Sequence, residues 1–342
     1  MNPKCFILSI IALVSTLPHH TTQAIQNNDI QSVILAAGEG SRFKTGISKL
    51  IYPIGGQAMV VYPIKLMQNL NISTSLIVGF QQNKVKKAVK DAGIIETNFM
   101  EQKEQLGTGH ALLCSKPVWH AKNILVLNGD GPMLTKKVIE DLCKTHIDSN
   151  AAISFIVSHF VGEGRYGRIV DTNNIVKIVE AKHFAYKKTD YPHINAGIYL
   201  INRAFLEEYL TKVKQNEVTN EFYLTDLVEI ASKNNLPVKM VVAPYDTIRG
   251  VNTLKELYDA QHIKQTEKIE KLMANGVQFN NPLTVHLDIN VTIAPRTYID
   301  TGVQLRGNTT IGKECRIGAY AILENANIKD GTIIEDFAVI KQ

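Results

Sequence analysis

Aliphatic residues recur every six positions in the C-terminal part of this 342-residue chain. The residues that keep this period are Leu287, Ile293, Ile299, Leu305, Ile311, Ile317 and Leu323, then, after a slip of one position, Ile328, Ile334 and Ile340. Small or β-branched side chains lie four positions after the earlier ones, at Val291, Thr297, Val303, Thr309, Cys315 and Ala321. This pattern is typical of a parallel β-helix, in which each coil of three hexads stacks one aliphatic residue at every corner. We expect about three such coils within residues 276–342.

A different pattern occupies residues 30 to about 242, where short β-branched runs alternate with amphipathic stretches. The runs predict strands over residues 32–36, 75–78, 123–127, 152–158, 194–201 and 238–242. The amphipathic stretches predict helices over residues 59–70, 83–91 and 135–145. This order predicts a doubly wound, mixed α/β sheet of Rossmann-like type, whose ligands bind at the carboxyl ends of the strands.

A long helix is predicted from Leu254 to about Asn275. Thr253 and Glu256 form a capping box before it, and Asn275-Gly276 supplies the expected signal for its end. We expect this segment, residues 253–275, to link a first domain over residues 30–252 to the β-helix over residues 276–342. The chain length also fits about two domains.

The composition narrows the class of protein. Hydrophobic residues make up 45% and charged residues 20% of the chain, as in ordinary soluble globular proteins. The net charge of +5 is spread without a basic block, which gives little support to nucleic-acid binding. The cysteines form no CxxC pair and have no histidine at metal spacing, so a zinc site or a disulfide framework is not expected.

The N-terminus resembles a signal peptide over residues 1–24. Lys4 precedes an apolar run over residues 6–17, Pro18 breaks it, and small and polar residues follow. The run is too short to span a membrane. A misassigned gene start or a loose apolar tail is the alternative interpretation, and the compartment stays open.

Residues 33–49, VILAAGEGSRFKTGISK, predict a phosphate-binding loop. A strand passes into a segment with Gly38 and Gly40, whose uncovered amides can approach a ligand, and Arg42 and Lys49 add positive charge. Phe43 stands where a dinucleotide fingerprint needs a third glycine, and no Gly-Lys-Ser/Thr occurs in the chain. The loop therefore handles a phosphorylated ligand in another way, or it is an ordinary turn with two solvated cations.

Two oxygen-bearing side chains follow predicted strands. Asp130 lies in the segment NGDGP after a strongly apolar strand, and Asn252 ends the segment GVN after the last strand. A carboxylate and an amide oxygen at neighbouring strand ends are hard ligands suited to Mg²⁺. By itself, Asp130 also fits a plain turn.

Several motifs in one order carry a resemblance to a known family. They are LAAGEGSR with Lys49, EQLGTGHA, NGD, YGRI at 166–169, IVEAK at 178–182, INAGIY at 194–199, EFYLTD at 221–226 and GVN at 250–252. From about Ser32 to its end, the chain resembles the bacterial bifunctional N-acetylglucosamine-1-phosphate uridylyltransferase/glucosamine-1-phosphate acetyltransferase. The resemblance implies a nucleotidyltransferase domain followed by the opening coils of a left-handed β-helix.

The resemblance also implies residue roles. The backbone that would hold the uridine and ribose is that of Leu35, Ala36, Ala37 and Gly38. The residues that would read the uracil are Gln102, Gly107 and Thr108. The triphosphate and departing pyrophosphate would be stabilised by the catalytic cations Arg42 and Lys49, and Mg²⁺ would be held by Asp130 and Asn252. The residues that would grip the amino sugar are Gly167, Glu180 and Asn195.

The implied reaction is Mg²⁺-dependent transfer of a uridylyl group from UTP to N-acetylglucosamine-1-phosphate. A sugar-1-phosphate oxygen is already anionic near neutral pH, so the absence of a nucleophile motif is expected. The family's acetyltransferase residues lie on later coils, and that activity is expected to be absent, with the β-helix serving packing or homotrimer assembly. A related enzyme with another sugar phosphate or NTP, and a catalytically weak sugar-nucleotide-binding protein, are the alternatives.

The chain departs from the family pattern at a few positions. Ser48 replaces the proline usually found before the lysine, which we expect to loosen the backbone that aims Lys49. His193 and His183 replace acidic residues near the sugar site, and Thr253-Leu254 replaces a polar pair after Asn252.

Overall fold

The computed structural model describes residues 29–160, 166–185 and 190–342. The leader expected over residues 1–24 lies outside this part of the chain. Among the helices in the described ranges, none is long and apolar enough to cross a membrane.

A nine-stranded mixed sheet forms the centre of the first domain. Its strands are β1 Ile30–Ala36, β4 Ser73–Val78, β5 Asn98–Glu101, β6 Asn123–Asn128, β7 Ile153–His159, β8 Arg168–Thr172, β9 Ile175–Val179, β10 His193–Asn202 and β11 Val238–Val242. Their order is β11-β7-β10-β6-β1-β4-β5, with β8 on β10 and β9 on β8. Strand β10 runs antiparallel to both neighbours, β6 and β7, while β1 is parallel to β4 and β6. The prediction of a doubly wound mixed sheet is confirmed, and each predicted strand is present.

The strands that sequence reasoning missed are β5, β8 and β9. β5 is short and incompletely buried, so it lacks the apolar alternation that marks a strand. β8 and β9 form a hairpin whose turn residues, Asn173 and Asn174, both have left-handed φ values of 53° and 63°. An asparagine pair between β-branched runs favours this turn, and that signal was present in the sequence.

Helices cover both faces of the sheet. One apolar core contains α1 Val61–Asn69, α2 Gln82–Asp91, α4 Lys136–Asp148 and the short α7 Tyr245–Ile248. The opposite core contains α3 Thr108–Cys114, α5 Arg203–Tyr209 and α6 Asp226–Lys233. Successive side chains of β1 alternate between these cores, since Ile34 packs in the first and Val33 in the second. Because β1 and β6 are parallel neighbours, their carboxyl ends lie at the same edge of the sheet.

A helix of 21 residues, α8 Leu254–Ala274, follows the sheet. The Thr253 hydroxyl oxygen accepts a hydrogen bond from the Glu256 N–H at 3.1 Å, as the capping box predicts. In a regular capping box the Glu256 carboxylate would accept from the N–H of the N-cap residue, Thr253. Here it accepts from the N–H of the preceding residue, Asn252, at 2.7 Å. The start of α8 thus fixes the backbone of a predicted metal ligand.

The C-terminal part is a parallel β-helix of three strand stacks, as the six-residue period predicts. The strands of these stacks are β12 Gln278–Phe279, β13 His286–Leu287, β14 Thr292–Ile293, β15 Tyr298–Ile299, β16 Gln304–Arg306, β17 Thr310–Ile311, β18 Arg316–Ile317, β19 Ile322–Glu324, β20 Asn327–Ile328, β21 Ile333–Ile334 and β22 Val339–Lys341. Ile293, Ile311 and Ile328 stack in register, and the second step is one residue shorter than the first, which explains the slip in the repeat. The residues four positions after the early aliphatics are all buried. A short hairpin of the first domain, β2 Pro53–Ile54 and β3 Gln57–Ala58, contacts this part, with Ile289 N–H donating to the Gly55 carbonyl at 2.8 Å.

Candidate functional site

A cleft of about 670 Å³ lies at the carboxyl edge of the central sheet. Every residue to which the sequence analysis assigned a role lines it, namely Leu35, Ala36, Ala37, Gly38, Arg42, Lys49, Gln102, Gly107, Thr108, Asp130, Gly167, Glu180, Asn195 and Asn252. These residues lie at the end of β1, in the loops after β1, β5, β6, β9 and β11, just before β8 and within β10. The fold therefore gathers the predicted site residues in one cleft.

The loop after β1 is anchored at Phe43, which is 2% exposed. Phe43 packs in a small core with Val251 and Leu257, so this loop and the start of α8 are held together. Gly40 has a left-handed φ of 67°, and a Cβ there would lie 3.1 Å from Lys49 Cγ. A glycine at position 40 therefore lets the loop close over the Lys49 side chain.

Two cations and two oxygen ligands meet in the cleft. Arg42 Nη2 donates to Asn252 Oδ1 at 2.6 Å, and Lys49 Nζ donates to the same oxygen at 2.7 Å. Lys49 Nζ also forms an ion pair with the Asp130 carboxylate. Both members of that pair are mostly buried, with side chains 12% and 16% exposed. Asp130 and Asn252 are thus close enough to bind one cation between them.

Backbone contacts fix the distance between these two ligands. The Val251 N–H donates to the Asp130 carbonyl at 2.9 Å, which ties the segment before Asn252 to the loop after β6. A Cβ at Gly250 would lie 3.1 Å from Asp130 Oδ1, so a larger residue would crowd the carboxylate. In the described ranges, no three His, Cys, Asp or Glu side chains form a metal site. The hard oxygen donors Asp130 and Asn252 fit Mg²⁺, since both already contact one positively charged atom.

The loop after β5 forms part of the cleft lining. Gln102 is 4% exposed, and its Nε2 donates to the Gly107 carbonyl at 3.0 Å and lies 3.1 Å from His110 Nδ1. The Thr108 hydroxyl oxygen accepts from the Leu224 N–H at 3.0 Å. Contacts within the protein thus hold the residues expected to read the base.

Glycine is required at position 107. Gly107 has a φ of 95°, a conformation that side chains rarely adopt. A Cβ at this position would lie 2.7 Å from the Phe222 carbonyl oxygen. The helix α3 can therefore begin against the segment around Phe222 only if residue 107 has no side chain.

Glu180 and Asn195 line another part of the cleft. Thr225 donates its hydroxyl hydrogen to Glu180 Oε1 at 3.1 Å, and burial raises the pKa of the Glu180 carboxyl. Asn195 Nδ2 donates to the Tyr199 hydroxyl at 2.6 Å, and Asn195 Oδ1 accepts from the Gly197 N–H at 3.1 Å. The Glu180 and Asn195 side chains are thus held by hydrogen bonds within the protein, so this part of the cleft is ordered before any ligand binds.

The cleft also contains an ion pair to which the sequence analysis gave no role. Lys182 Nζ donates to Glu221 Oε2 at 2.8 Å and lies 5.1 Å from the centre of the Tyr223 ring. The motifs IVEAK and EFYLTD contain Lys182 and Glu221, but the two residues lie 39 positions apart, so the sequence did not predict their contact. They join two walls of the cleft.

The structure locates the departures from the family pattern. The Ser48 N–H donates to Gln81 Oε1 at 3.1 Å, a bond that a proline cannot form. His193 lies at an exposed strand end, with its ring 6.2 Å from that of His159. The His183 ring lies 6.1 Å from that of Tyr223, which lines the cleft. Nothing in the sequence had pointed to Gln81.

The comparisons with known proteins decide the family. Residues 32–264 match the MobA-like NTP transferase domain. The chain belongs to the NTP transferase family. Within it, the chain is 31% identical to the bifunctional protein GlmU of Clostridium botulinum (strain 657 / Type Ba4), over 91% of this chain and 68% of that protein. It is also 31% identical to the bifunctional protein GlmU of Desulfotalea psychrophila, over 92% of this chain and 94% of that protein. These relatives confirm the resemblance to the bifunctional family.

Two solved structures share the fold at lower identity. A UDP-glucose pyrophosphorylase complexed with UDP-glucose aligns with a TM-score of 0.56 and 17% identity, over 70% of this chain and 99% of that chain. The inositol-1-phosphate CTP transferase from T. maritima aligns with a TM-score of 0.50 and 16% identity, over 68% and 94%. At these identities the likeness shows the fold, while the choice of substrate rests on the site.

Proposed function

We propose that this protein transfers the uridylyl group of UTP to N-acetylglucosamine-1-phosphate, giving UDP-N-acetylglucosamine and pyrophosphate. The observation that carries this proposal is the convergence of Arg42 and Lys49 on Asp130 and Asn252 at the carboxyl edge of the sheet. Membership of the NTP transferase family and the GlmU relatives support nucleotidyl transfer to a sugar phosphate. The choice of uracil and N-acetylglucosamine is part of the proposal.

The cleft lining offers separate groups to the two substrates. The backbone of residues 35–38 and the ordered carboxamide of Gln102 would bind the nucleoside. Glu180 would accept hydrogen bonds from the sugar, and the carboxamide of Asn195 would donate and accept them. Arg42 and Lys49 line the same cleft and would contact the phosphates of both substrates. The cleft is also within the size range of small-molecule sites.

The chemical step needs charge stabilisation and positioning. The phosphate oxygen of the sugar is already anionic, so it can attack the α-phosphorus in line without a general base. Arg42 and Lys49 would neutralise the negative charge that develops on the departing pyrophosphate. Deleting either cation is expected to reduce kcat by roughly two to three orders of magnitude, by analogy with oxyanion-hole deletions.

Asp130 and Asn252 would hold Mg²⁺. When bound, the ion would offset negative charge on the phosphoryl oxygens. The Glu256 carboxylate and the Val251 N–H hold the backbone around these ligands, so their separation would change little on binding. Lys49 would exchange its contact with Asp130 for the phosphates.

The test is pyrophosphate release by the full chain with a panel of NTPs and sugar-1-phosphates in the presence of Mg²⁺. We expect kcat/KM to be highest for UTP with N-acetylglucosamine-1-phosphate, and we expect Lys49→Ala to abolish most of the signal. Equal rates with another pair would overturn the specific assignment. UDP-sugar binding by calorimetry without any turnover would favour the binding-protein alternative.

A further inference from the structure

The Gln81 side chain bridges two points of the phosphate-binding loop. Its Nε2 donates to the Gly46 carbonyl at 2.8 Å, and its Oε1 accepts from the Ser48 N–H at 3.1 Å. One carboxamide therefore uses both of its ends on the backbone of residues 46–48. The bridge reaches the loop from the residue directly before α2, on a different segment of the domain.

Residues 45–47 have little other support beyond the Thr45 hydroxyl, which donates to the Ile47 carbonyl at 3.5 Å. A turn closed by the Phe43 N–H and the Gly40 carbonyl, at 2.9 Å, holds the residues before it. A second turn, closed by the Tyr52 N–H and the Lys49 carbonyl at 3.2 Å, holds the residues after it. Within the described part of the chain, no hydrogen bond between backbone groups involves residues 45–47. The carboxamide of Gln81 spans this gap.

The backbone of Gln81 itself favours a functional explanation. Its φ of 50° lies in the left-handed region, which glycine and asparagine adopt more readily than other residues do. A glutamine at this position adds conformational cost, and its side chain offsets that cost only through the bridge. Strain of this kind is typical of sites where a side chain has a specific task.

We propose that Gln81 is a positioning residue that aims Lys49 into the cleft. Ser48, one end of the bridge, directly precedes Lys49, whose ammonium contacts Asp130 and Asn252. The bridge takes over the task that a rigid proline before the lysine would have. The catalytic part of this inference rests on the proposed function, because Lys49 acts on the phosphates there.

The kinetic test compares Gln81→Gly with Gln82→Ala. Glycine suits the backbone at position 81 and removes only the bridge, while Gln82 starts the same helix but pairs with Glu101 at 2.7 Å. We expect Gln81→Gly to lower kcat about tenfold while the KM for the sugar phosphate changes less than about twofold, since misplacement of a catalytic group acts on the chemical step. Gln82→Ala should match the wild type. A Gln81→Gly variant with wild-type kcat overturns the proposal.

A double variant tests whether Gln81 acts through Lys49. In a Lys49→Ala background, Gln81→Gly should cause no further loss of kcat, because the group it positions is gone. If the two losses multiply, Gln81 acts independently of Lys49 and the proposal fails.

Amide hydrogen exchange gives a readout that does not depend on activity. Exchange over residues 45–50 should accelerate in Gln81→Gly and stay unchanged in Gln82→Ala. Unchanged exchange in Gln81→Gly refutes the bridge whether or not the protein turns over substrate. A wild type that releases no pyrophosphate refutes the proposed function instead, and the exchange comparison then decides about Gln81 alone.

Discussion

Replacing Lys49 with methionine tests whether its ammonium balances the charge of Asp130 in the cleft. The Lys49–Asp130 pair is neither fully exposed nor fully buried, since its side chains are 12% and 16% exposed. An exposed pair contributes less than about 1 kcal/mol, whereas removing one partner of a fully buried pair costs roughly 3 to 5 kcal/mol. We therefore expect Lys49→Met to lower the free energy of unfolding by about 2 kcal/mol, because the Asp130 carboxylate keeps its burial and loses its counterion.

The assay is urea denaturation of the ligand-free protein, with pyrophosphate release measured on the same samples. Lys137→Met is a matched control, because Lys137 pairs with Asp141 at 2.9 Å on the solvent-facing side of α4, with side chains 81% and 48% exposed. Its loss of stability should stay below about 0.5 kcal/mol. Activity should fall roughly a hundredfold or more in Lys49→Met and stay unchanged in the control.

A double variant decides whether the unpaired charge is the cause. Lys49→Met with Asp130→Asn leaves no uncompensated carboxylate, so the loss of stability should shrink to less than about 1 kcal/mol while activity stays low. A double variant that is less stable than Lys49→Met alone would refute the reasoning, since the cost would then come from lost packing.

Three further predictions follow from the geometry. Gly107→Ala should lower the free energy of unfolding by about 2 kcal/mol, because the new Cβ would lie 2.7 Å from the Phe222 carbonyl oxygen and the φ of residue 107 is 95°. The same change should weaken UTP binding. Urea denaturation measures the first effect and calorimetry the second. Ser48→Ala should raise stability by about 1 kcal/mol in the same melts, because the buried Ser48 hydroxyl has no partner in the described structure while its N–H bond to Gln81 is retained. Burial, with Glu229 and Glu180 nearby, raises the pKa of Asp226 to about 6. The folded state therefore binds this proton more tightly than the unfolded state, so this group's contribution to stability falls as pH rises from about 4 to 6. Asp226→Asn should therefore stabilise the protein more at pH 7 than at pH 4.5 in urea melts. An equal change in the free energy of unfolding at the two pH values would contradict this prediction.

The successes and misses of the sequence predictions have distinct causes. The predicted strands of the central sheet were right because each is a short run of apolar and β-branched residues, and all but the partly exposed β11 are largely buried. The helix α8 began at Leu254, as its capping signals indicated, but Glu256 bonds to the Asn252 N–H one residue further back than in a regular box. The hairpin of β8 and β9 was missed because its strands are short and its Asn173-Asn174 turn was not recognised as a turn signal.

The sequence by itself determined the β-helix, the α/β order and the position of the glycine-rich loop after β1, because each depends on a period or on neighbouring residues. Only the tertiary structure decided how distant side chains meet. Lys49 contacts Asp130 and Asn252, which lie 81 and 203 positions away, and Gln81 bridges a loop 33 positions before it. Such contacts depend on which strand ends share an edge of the sheet and on small cores such as that of Phe43, Val251 and Leu257, and no local pattern encodes them. A bond between one side chain and the backbone of a remote loop leaves no trace in spacing or composition, since any polar residue of suitable length could make it.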